Sequence, residues 1–387
     1  VAAYRPVVDE PVMRLALGVL DKLSAGDGSG AVEDYARLFY ALRSAGSRSL
    51  GEWLDGRLRD RESPYAALAE RGGEDPALEA AARRDIETFT LLAELDWDQV
   101  LAEVGGKAPR EYGPVLANLP RWRGSSPFSF AELTEFYRAN GAGLFARHRA
   151  FLWEDGALCP VEQPDCPGAD EMLGYELQRN RVIANTRAML EGNLVNNVLL
   201  YGDSGTGKSA TVKNLLTLPG FEALRLIEVQ KEGLADLPRL IRTLGGRRLK
   251  FILFIDDLAF DQDDKTYSAL KTILEGGLER RPANVAVYAT SNRRRLVRQT
   301  FSDRAGDEVD ASETIQEKTS LSDRFGLRIP YLALNQAEFL ELVEGMAEQA
   351  GIALDRDSLR AEAVKWEMRN PGRTPRTAKQ FIASLSL

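Results

Sequence analysis

The sequence predicts an α/β fold. A parallel sheet is built around a phosphate-binding loop, carries a C-terminal helical lid and follows an all-helical N-terminal domain. Three observations carry this. The run Gly202–Ser209 reads G-x-x-x-x-G-K-S, with an apolar strand pattern before it (Val195–Tyr201) and a helical pattern after it (Ala210–Leu216). From there to about Leu334 strand and helix patterns alternate, as in a parallel sheet with helical crossovers. Beyond Leu334 three helical runs follow with no strand between them, Gln336–Gln349, Asp357–Met368 and Thr377–Leu385.

The loop comes first because its chemistry is specific. Gly202, Gly205 and Gly207 permit a tight turn and close backbone approach, so that successive N–H groups aim at one anion. Gly202, Asp203, Ser204, Gly205, Thr206, Gly207, Lys208, Ser209 and Ala210 are therefore the candidate phosphate cradle. Lys208 is suited to β- and γ-phosphates, and the Ser209 hydroxyl to Mg²⁺.

Composition narrows the class. The chain has 387 residues, 44% apolar and 28% charged, which fits two or three soluble globular units. A formal net charge of −8 argues against broad grip on nucleic acid. Cys159 and Cys166 form neither a disulfide framework nor a zinc spacing, and His148, the single histidine, disfavours a histidine-based metal site or triad. No apolar run reaches the roughly 18 residues of a membrane span. Val12–Leu20 contains Arg14 and reads as an amphipathic helix, not a signal peptide. The cytoplasm is the default expectation.

In chain order, residues 1–123 are expected as the helical domain. Val12, Leu15, Val19 and Leu23 share one helical face, as do Tyr35, Leu38 and Leu42. A further run starting at Pro76 carries Ile86, Phe89, Ala93 and Trp97. These stripes read as core; recruitment of a protein partner is the functional alternative. Residues 124–170, rich in Gly and Pro, are expected as a linker with extended segments. The nucleotide-binding core is expected over 171–334 and the lid over 335–387. Within the core, Leu224–Val229, Phe251–Ile255, Val285–Ala289 and Leu327–Leu334 read as strands, and Leu234–Leu244 and Tyr267–Leu278 as helices.

The strand Phe251–Ile255 runs into Asp256-Asp257, an apolar strand ending in two acids. Ligands gather at the carboxyl ends of parallel strands, where the loop also lies. Asp256 is the candidate Mg²⁺ ligand with Ser209, and Asp257 the candidate for orienting an attacking water. Asn292, ending the next strand, is placed for the γ-phosphate or the water; the plainer reading is a strand-end cap.

On these residues the segment resembles an AAA+ P-loop ATPase. Asn292 matches the sensor-1 position. Arg324, in Leu321–Gly326, matches the Arg-Phe motif that carries the arginine finger of AAA+ initiators, and Arg376, in Thr374–Phe381, matches sensor-2 of the lid. More closely, the runs Gly174–Leu190, Tyr201–Leu216, Leu226–Pro238, Phe251–Phe260, Leu270–Arg294, Glu317–Gly326 and Arg373–Phe381 resemble a bacterial AAA+ family filed as domain of unknown function eight-fifteen, from roughly Phe145 onward. The resemblance implies a P-loop NTPase fold, ATP and ADP as ligands with Mg²⁺, ATP hydrolysis at a boundary within a homo-oligomer, and catalytic roles for Asp257, Asn292, Arg324 and Arg376. It implies a conformational switch or remodelling of a macromolecular partner and supplies no substrate.

Two departures from the wider pattern stand out. Asp257 occupies a position where many members have Glu, which draws the carboxylate back by about 1.5 Å, one bond length, and favours slow turnover. Gln230–Leu234 lacks the aromatic pore loop of polypeptide-threading members, which disfavours an unfoldase. Arg293-Arg-Arg295 is the most basic run; it reads as a solvated loop, with contact to nucleic-acid phosphates as the alternative. Asp303–Glu313 reads as an acidic surface loop. Two other functions compete with hydrolysis-driven remodelling. One is an ATP-gated scaffold or adaptor with little turnover; the other, a small-molecule P-loop kinase, would not need Asn292, Arg324 and Arg376 in this order.

Overall fold

The computed structural model describes residues 1–259, 270, 271, 273, 274, 281–292, 321–370 and 372–385. The expected helix Tyr267–Leu278 lies largely outside these residues. The basic run Arg293–Arg295 and the acidic stretch Asp303–Glu313 lie wholly outside them. The chain divides into two compact units, Val1–Arg147 and His148–Leu387.

The first unit is helical: α1 (Arg5–Val8), α2 (Pro11–Ser24), α3 (Gly28–Ser44), α4 (Leu50–Asp60), α5 (Pro64–Arg71), α6 (Pro76–Glu94), α7 (Trp97–Lys107), α8 (Gly113–Asn118), α9 (Phe130–Asn140) and α10 (Leu144–Arg147). Short polar side chains start most of the long ones. Asp27, Ser49, Ser63, Asp75, Asp96 and Ser129 each accept an N–H of the first turn of their helix. The run expected to continue from Pro76 to Trp97 is two helices, because Asp96 caps a new one. Tyr35, Trp97 and Trp122 stack at the centre, with Trp122 at 5.0 Å from Tyr35 and 5.5 Å from Trp97 between ring centroids.

The segment 124–170 does not stand apart as a linker. Phe128, Leu133, Tyr137 and Ala142 are buried in the core of the first unit. Tyr137 also donates its hydroxyl to Leu58 O at 2.6 Å. Residues beyond 147 enter the sheet of the second unit instead. There β1 (Ala150–Glu154) and β2 (Ala157–Pro160) pair as an antiparallel hairpin across Asp155-Gly156, both at positive φ. Asp-Gly in a two-residue loop is a strong hairpin signal, because its mirror-image turn matches the strand twist.

The second unit continues with α11 (Glu176–Leu190), β3 (Val198–Gly202), α12 (Lys208–Asn214), β4 (Leu224–Val229), α13 (Leu237–Leu244), β5 (Lys250–Ile255), β6 (Val285–Ser291) and β7 (Leu327–Tyr331). Its seven strands lie in the order β2-β1-β4-β5-β6-β3-β7, parallel except for the β1–β2 pair. Every residue of β6, and all but the first of β5, is buried, as expected of central parallel strands covered on both faces. The register brings Leu200 level with Thr290 on one side and Ile329 on the other. The carboxyl ends of β3, β5 and β6 therefore meet at one edge.

The lid is α14 (Gln336–Gln349), α15 (Arg356–Arg369) and α16 (Pro375–Leu385). It has its own core of Phe339, Val343, Ala363 and Phe381. A reciprocal Asn335–Glu338 capping box starts α14. Glu344 on α14 accepts from Arg356 Nε at 2.9 Å and from Arg360 Nε, tying α15 to it.

Candidate functional site

The turn after β3 requires its glycines. Gly202, Gly205 and Gly207 all sit at positive φ. A Cβ on Gly202 would fall 2.1 Å from Tyr331 O, so no side chain fits where the turn crosses β7. The turn is fixed to β7 from behind: Asp203 N–H donates to Tyr331 O at 2.9 Å, and the Tyr331 and Thr211 hydroxyls are 2.9 Å apart. Burial pushes the Tyr331 phenol up to about 12, so it stays neutral.

Lys208 begins α12 and is buried. Its ammonium donates to Gly202 O at 3.1 Å, Asp203 O at 2.7 Å and Asn292 Oδ1 at 2.9 Å. Burial lowers its pKa, with Asp203, Asp257 and Asp256 opposing the shift and Arg376 adding to it. Asn292 in turn donates from Nδ2 to Asp257 Oδ1 at 2.8 Å. One amide thus joins the lysine to the second carboxylate of Asp256-Asp257.

Ser209 Oγ donates to Asp256 Oδ1 at 2.6 Å. The same oxygen accepts from the Thr290 hydroxyl, whose own oxygen accepts the Asp257 N–H at 2.9 Å. Thr290 was not among the sequence candidates. It holds Asp256 and Asp257 together and keeps Asp257 at φ 49, a left-handed conformation unusual for Asp. A hydroxyl one strand over from the two acids and level with Leu200 was the available signal, but its direction depends on the register. A serine hydroxyl beside a carboxylate is a hard-oxygen pair that fits Mg²⁺, which takes few protein ligands and completes its shell with water and phosphate. Among the described residues no cluster of three or more His, Cys, Asp or Glu side chains could hold a metal without such help.

These groups line a cavity of about 630 Å³, within the usual range for a small-molecule site. The loop from Ser204 to Ala210, Asp256, Asp257, Thr290 and Asn292 form its polar end. Its other walls are Met172–Tyr175 just before α11, Arg179 on α11, and Met346, Arg376, Lys379 and Gln380 from the lid. Arg376 approaches the loop directly: its N–H donates to Gly205 O at 3.2 Å, and Nη1 lies 3.5 Å from Ser204 Oγ. Three predicted residues stand off the cavity wall: Gly202 (where the turn packs on Tyr331), Asp203 and Arg324. Asp203 turns its carboxylate to Ala333, accepting that N–H at 2.6 Å. Arg324 is exposed in the turn before β7, while its neighbour Asp323 pairs with Arg328 at 2.8 Å. Cys159 and Cys166 are both free thiols.

A phosphate-binding loop after β3, two acids after β5, an amide after β6 and a helical lid closing over them define an AAA+ P-loop nucleotide-binding fold. The chain belongs to the family described as "Protein of unknown function (DUF815)", which matches residues 146–386. No curated protein matches it. Similar solved structures include a RuvB variant of Thermotoga maritima (17% identity, 57% of this chain and 63% of that one, TM-score 0.38). Others are the Thermotoga maritima RuvB Holliday junction branch migration motor (18%, 57% and 63%, TM-score 0.35) and the Aeropyrum pernix ORC1 protein in complex with DNA (18%, 56% and 60%, TM-score 0.39). The match spans less than two thirds of the length of each of these structures. Among the described residues, no helix is long and apolar enough to cross a membrane.

Proposed function

We propose that this chain binds ATP with Mg²⁺ and hydrolyses it at a boundary between two copies of itself, driving a conformational switch in, or remodelling of, a macromolecular partner. The observation that carries this is the convergence of Lys208, Ser209, Asp256, Asp257 and Asn292 on one cavity that the lid also walls. Lys208 and the loop N–H groups hold the β- and γ-phosphates, and Lys208 exchanges its contact with Asn292 for phosphate oxygen. Ser209 and Asp256 hold Mg²⁺, which when bound neutralises charge on the transferring phosphoryl group. Asp257 accepts a hydrogen bond from the attacking water, Asn292 steadies the water or the γ-phosphate, and Arg376 senses the phosphates from the lid. Arg324, off the wall of its own cavity, reaches a neighbour's γ-phosphate as an always-charged planar fork. The N-terminal helical unit is the candidate recruiter of the partner.

A scaffold that binds ATP and turns it over slowly is the second reading. It is favoured by the engagement of one oxygen of the Asp257 carboxylate with Asn292 at 2.8 Å, which restricts how that carboxylate can turn towards a water. Nucleotide affinity and steady-state phosphate release from wild type, Lys208→Ala and Asp257→Asn separate the two. The hydrolytic reading expects Lys208→Ala to lose tight binding, and Asp257→Asn to keep ATP bound without cleaving it. Wild-type phosphate release no faster than that of Asp257→Asn would leave only the scaffold; unchanged affinity in Lys208→Ala would remove both readings.

A further inference from the structure

A second cavity, of about 530 Å³, shares the strip Leu173–Tyr175 with the nucleotide site as a common wall. Its other sides are the first turn of α11, the chain leaving β7 and one stripe of α14, where Glu338, Glu341, Leu342 and Gly345 recur at helical spacing. Two of its apolar side chains are left largely in water: Leu177 is 79% exposed and Leu332 60%. Single exposed leucines are ordinary, but these two line one groove and offer apolar surface to a side chain seated there. The charge around them has one sign. Glu176, Glu338 and Glu341 line the groove, and among the described residues no lysine or arginine does, although Arg179 outside it lies 3.4 Å from Glu176. Glu338 is pinned by its hydrogen bond from Asn335 N–H, which orients the carboxylate without cancelling its charge.

We infer that this groove docks a short basic amphipathic segment of a partner protein, and that docking is linked to the nucleotide. One or two large apolar side chains seat against Leu177 and Leu332, and flanking Lys or Arg meets the three carboxylates, as in helix-in-groove recognition. The same carboxylates repel nucleic-acid phosphates and acidic peptides, so those partners are excluded from this face. The inference rests on the proposed nucleotide binding and names the partner's chemistry.

The linkage is physical. Ala333, in the groove wall, donates its N–H to Asp203 of the phosphate loop at 2.6 Å, and Tyr175 donates its hydroxyl to Leu332 O at 2.6 Å. Both cavities also cross the seam between sheet and lid. The nucleotide site takes Met346 and Arg376 from the lid, the groove takes Glu341 and Gly345. A lid rotation that closes one cavity must reshape the other, and a ligand that prefers either shape biases both sites reciprocally.

The test starts from a display library of random short peptides selected on the full chain. The expected winners carry Leu, Phe or Trp flanked by Lys or Arg. A labelled winner should lose about tenfold or more in affinity, roughly 1.4 kcal/mol or above, with Leu177→Ser, Leu332→Ser or Glu341→Lys. These are surface changes, and circular dichroism checks that each variant is folded. A non-hydrolysable ATP analogue with Mg²⁺ should shift the wild-type peptide affinity severalfold. In Lys208→Ala the peptide should still bind and the shift should vanish. Failure to select any saturable binder, acidic or uncharged winners, or binding indifferent to all three substitutions would overturn the groove. Self-association abolished by Leu177→Ser, with no peptide captured, would assign the face to a second copy instead. Peptide affinity unchanged by bound analogue would overturn the linkage. If wild type binds no analogue, the nucleotide reading fails and the linkage with it, while the groove is judged on peptide capture alone.

Discussion

Thr290→Val is the most informative single substitution, because it deletes one hydroxyl and leaves the side-chain shape intact. Thr290 is 1% exposed, and its hydroxyl both donates to Asp256 Oδ1 and accepts the Asp257 N–H at 2.9 Å. A buried donor without a partner costs about 1–3 kcal/mol. Asp257 N–H keeps a fallback 3.2 Å away at Asp256 Oδ1, which places the cost at the lower end, about 1–2 kcal/mol. For a unit the size of His148–Leu387 that is a fall in melting temperature of about 2–8 °C. The functional effect should be larger in turnover than in affinity. Lys208 and the loop remain, but Asp257 is released from the conformation that aims its carboxylate at Asn292. Calorimetric melting, ATP affinity and steady-state phosphate release measure the three quantities, and Thr290→Ser should restore most of each. A Val variant that melts and turns over like wild type would refute the idea that this hydroxyl sets the geometry of the two acids.

Arg324→Ala should bind ATP normally and hydrolyse it about 10³–10⁵-fold more slowly. Mixing it with Lys208→Ala should restore part of the activity, since some boundaries then join an intact loop to an intact Arg324; a linear decline on mixing would place Arg324 within its own chain. For pH, burial holds the folded Lys208 below its ordinary 10.5. Folding therefore gains stability as pH rises from the folded value towards 10.5, and phosphate binding, which favours the ammonium, should take up protons in that window. Calorimetry in two buffers of different ionisation enthalpy reads this, and a buffer-independent heat there would contradict it. Glu344 is held at about 2 by Arg356 and Arg360, against 4.5 when unpaired. Its contribution is complete above 4.5 and fades as pH falls towards 2. Glu344→Gln should flatten that part of the acid-unfolding profile, and an unchanged profile would show the clasp to be inert.

The parts of the fold legible in sequence were those where one local rule decides the outcome. Gly202–Ser209 carries its own backbone demands, Phe251–Ile255 is apolar throughout and so reads as a strand buried on both faces, and Asn335 with Glu338 announces the start of α14. The hairpin at the sheet edge has a local signal in Asp155-Gly156, but the prolines that follow it, Pro160, Pro164 and Pro167, give the segment the composition of a linker. The far boundary of the helical unit was misplaced for a related reason. Leu133 and Tyr137 show one helical face, but nothing local says which core receives it. In the site, residue types named the phosphate loop, the two acids and Asn292. Thr290, Tyr175 and Tyr331 were hidden because their roles come from register and stacking, as in the Tyr175–Tyr331 ring pair at 5.1 Å. Asp203 was legible as part of the loop but not as a tie to Ala333, since the direction of its side chain is a tertiary fact.

Of the five tryptophans in the chain, only Trp366 belongs to the lid, where it lies 5.9 Å from Phe381 in the lid's own core. It joins α15 to α16, and α16 carries Arg376, the residue that touches the phosphate loop. The lid therefore contains a natural fluorophore one helix away from the phosphates. With Trp53, Trp97, Trp122 and Trp153 replaced by Phe, the emission of Trp366 would follow lid movement in real time, without a dye and without an engineered cysteine. Stopped-flow records of that signal would time the lid against phosphate release.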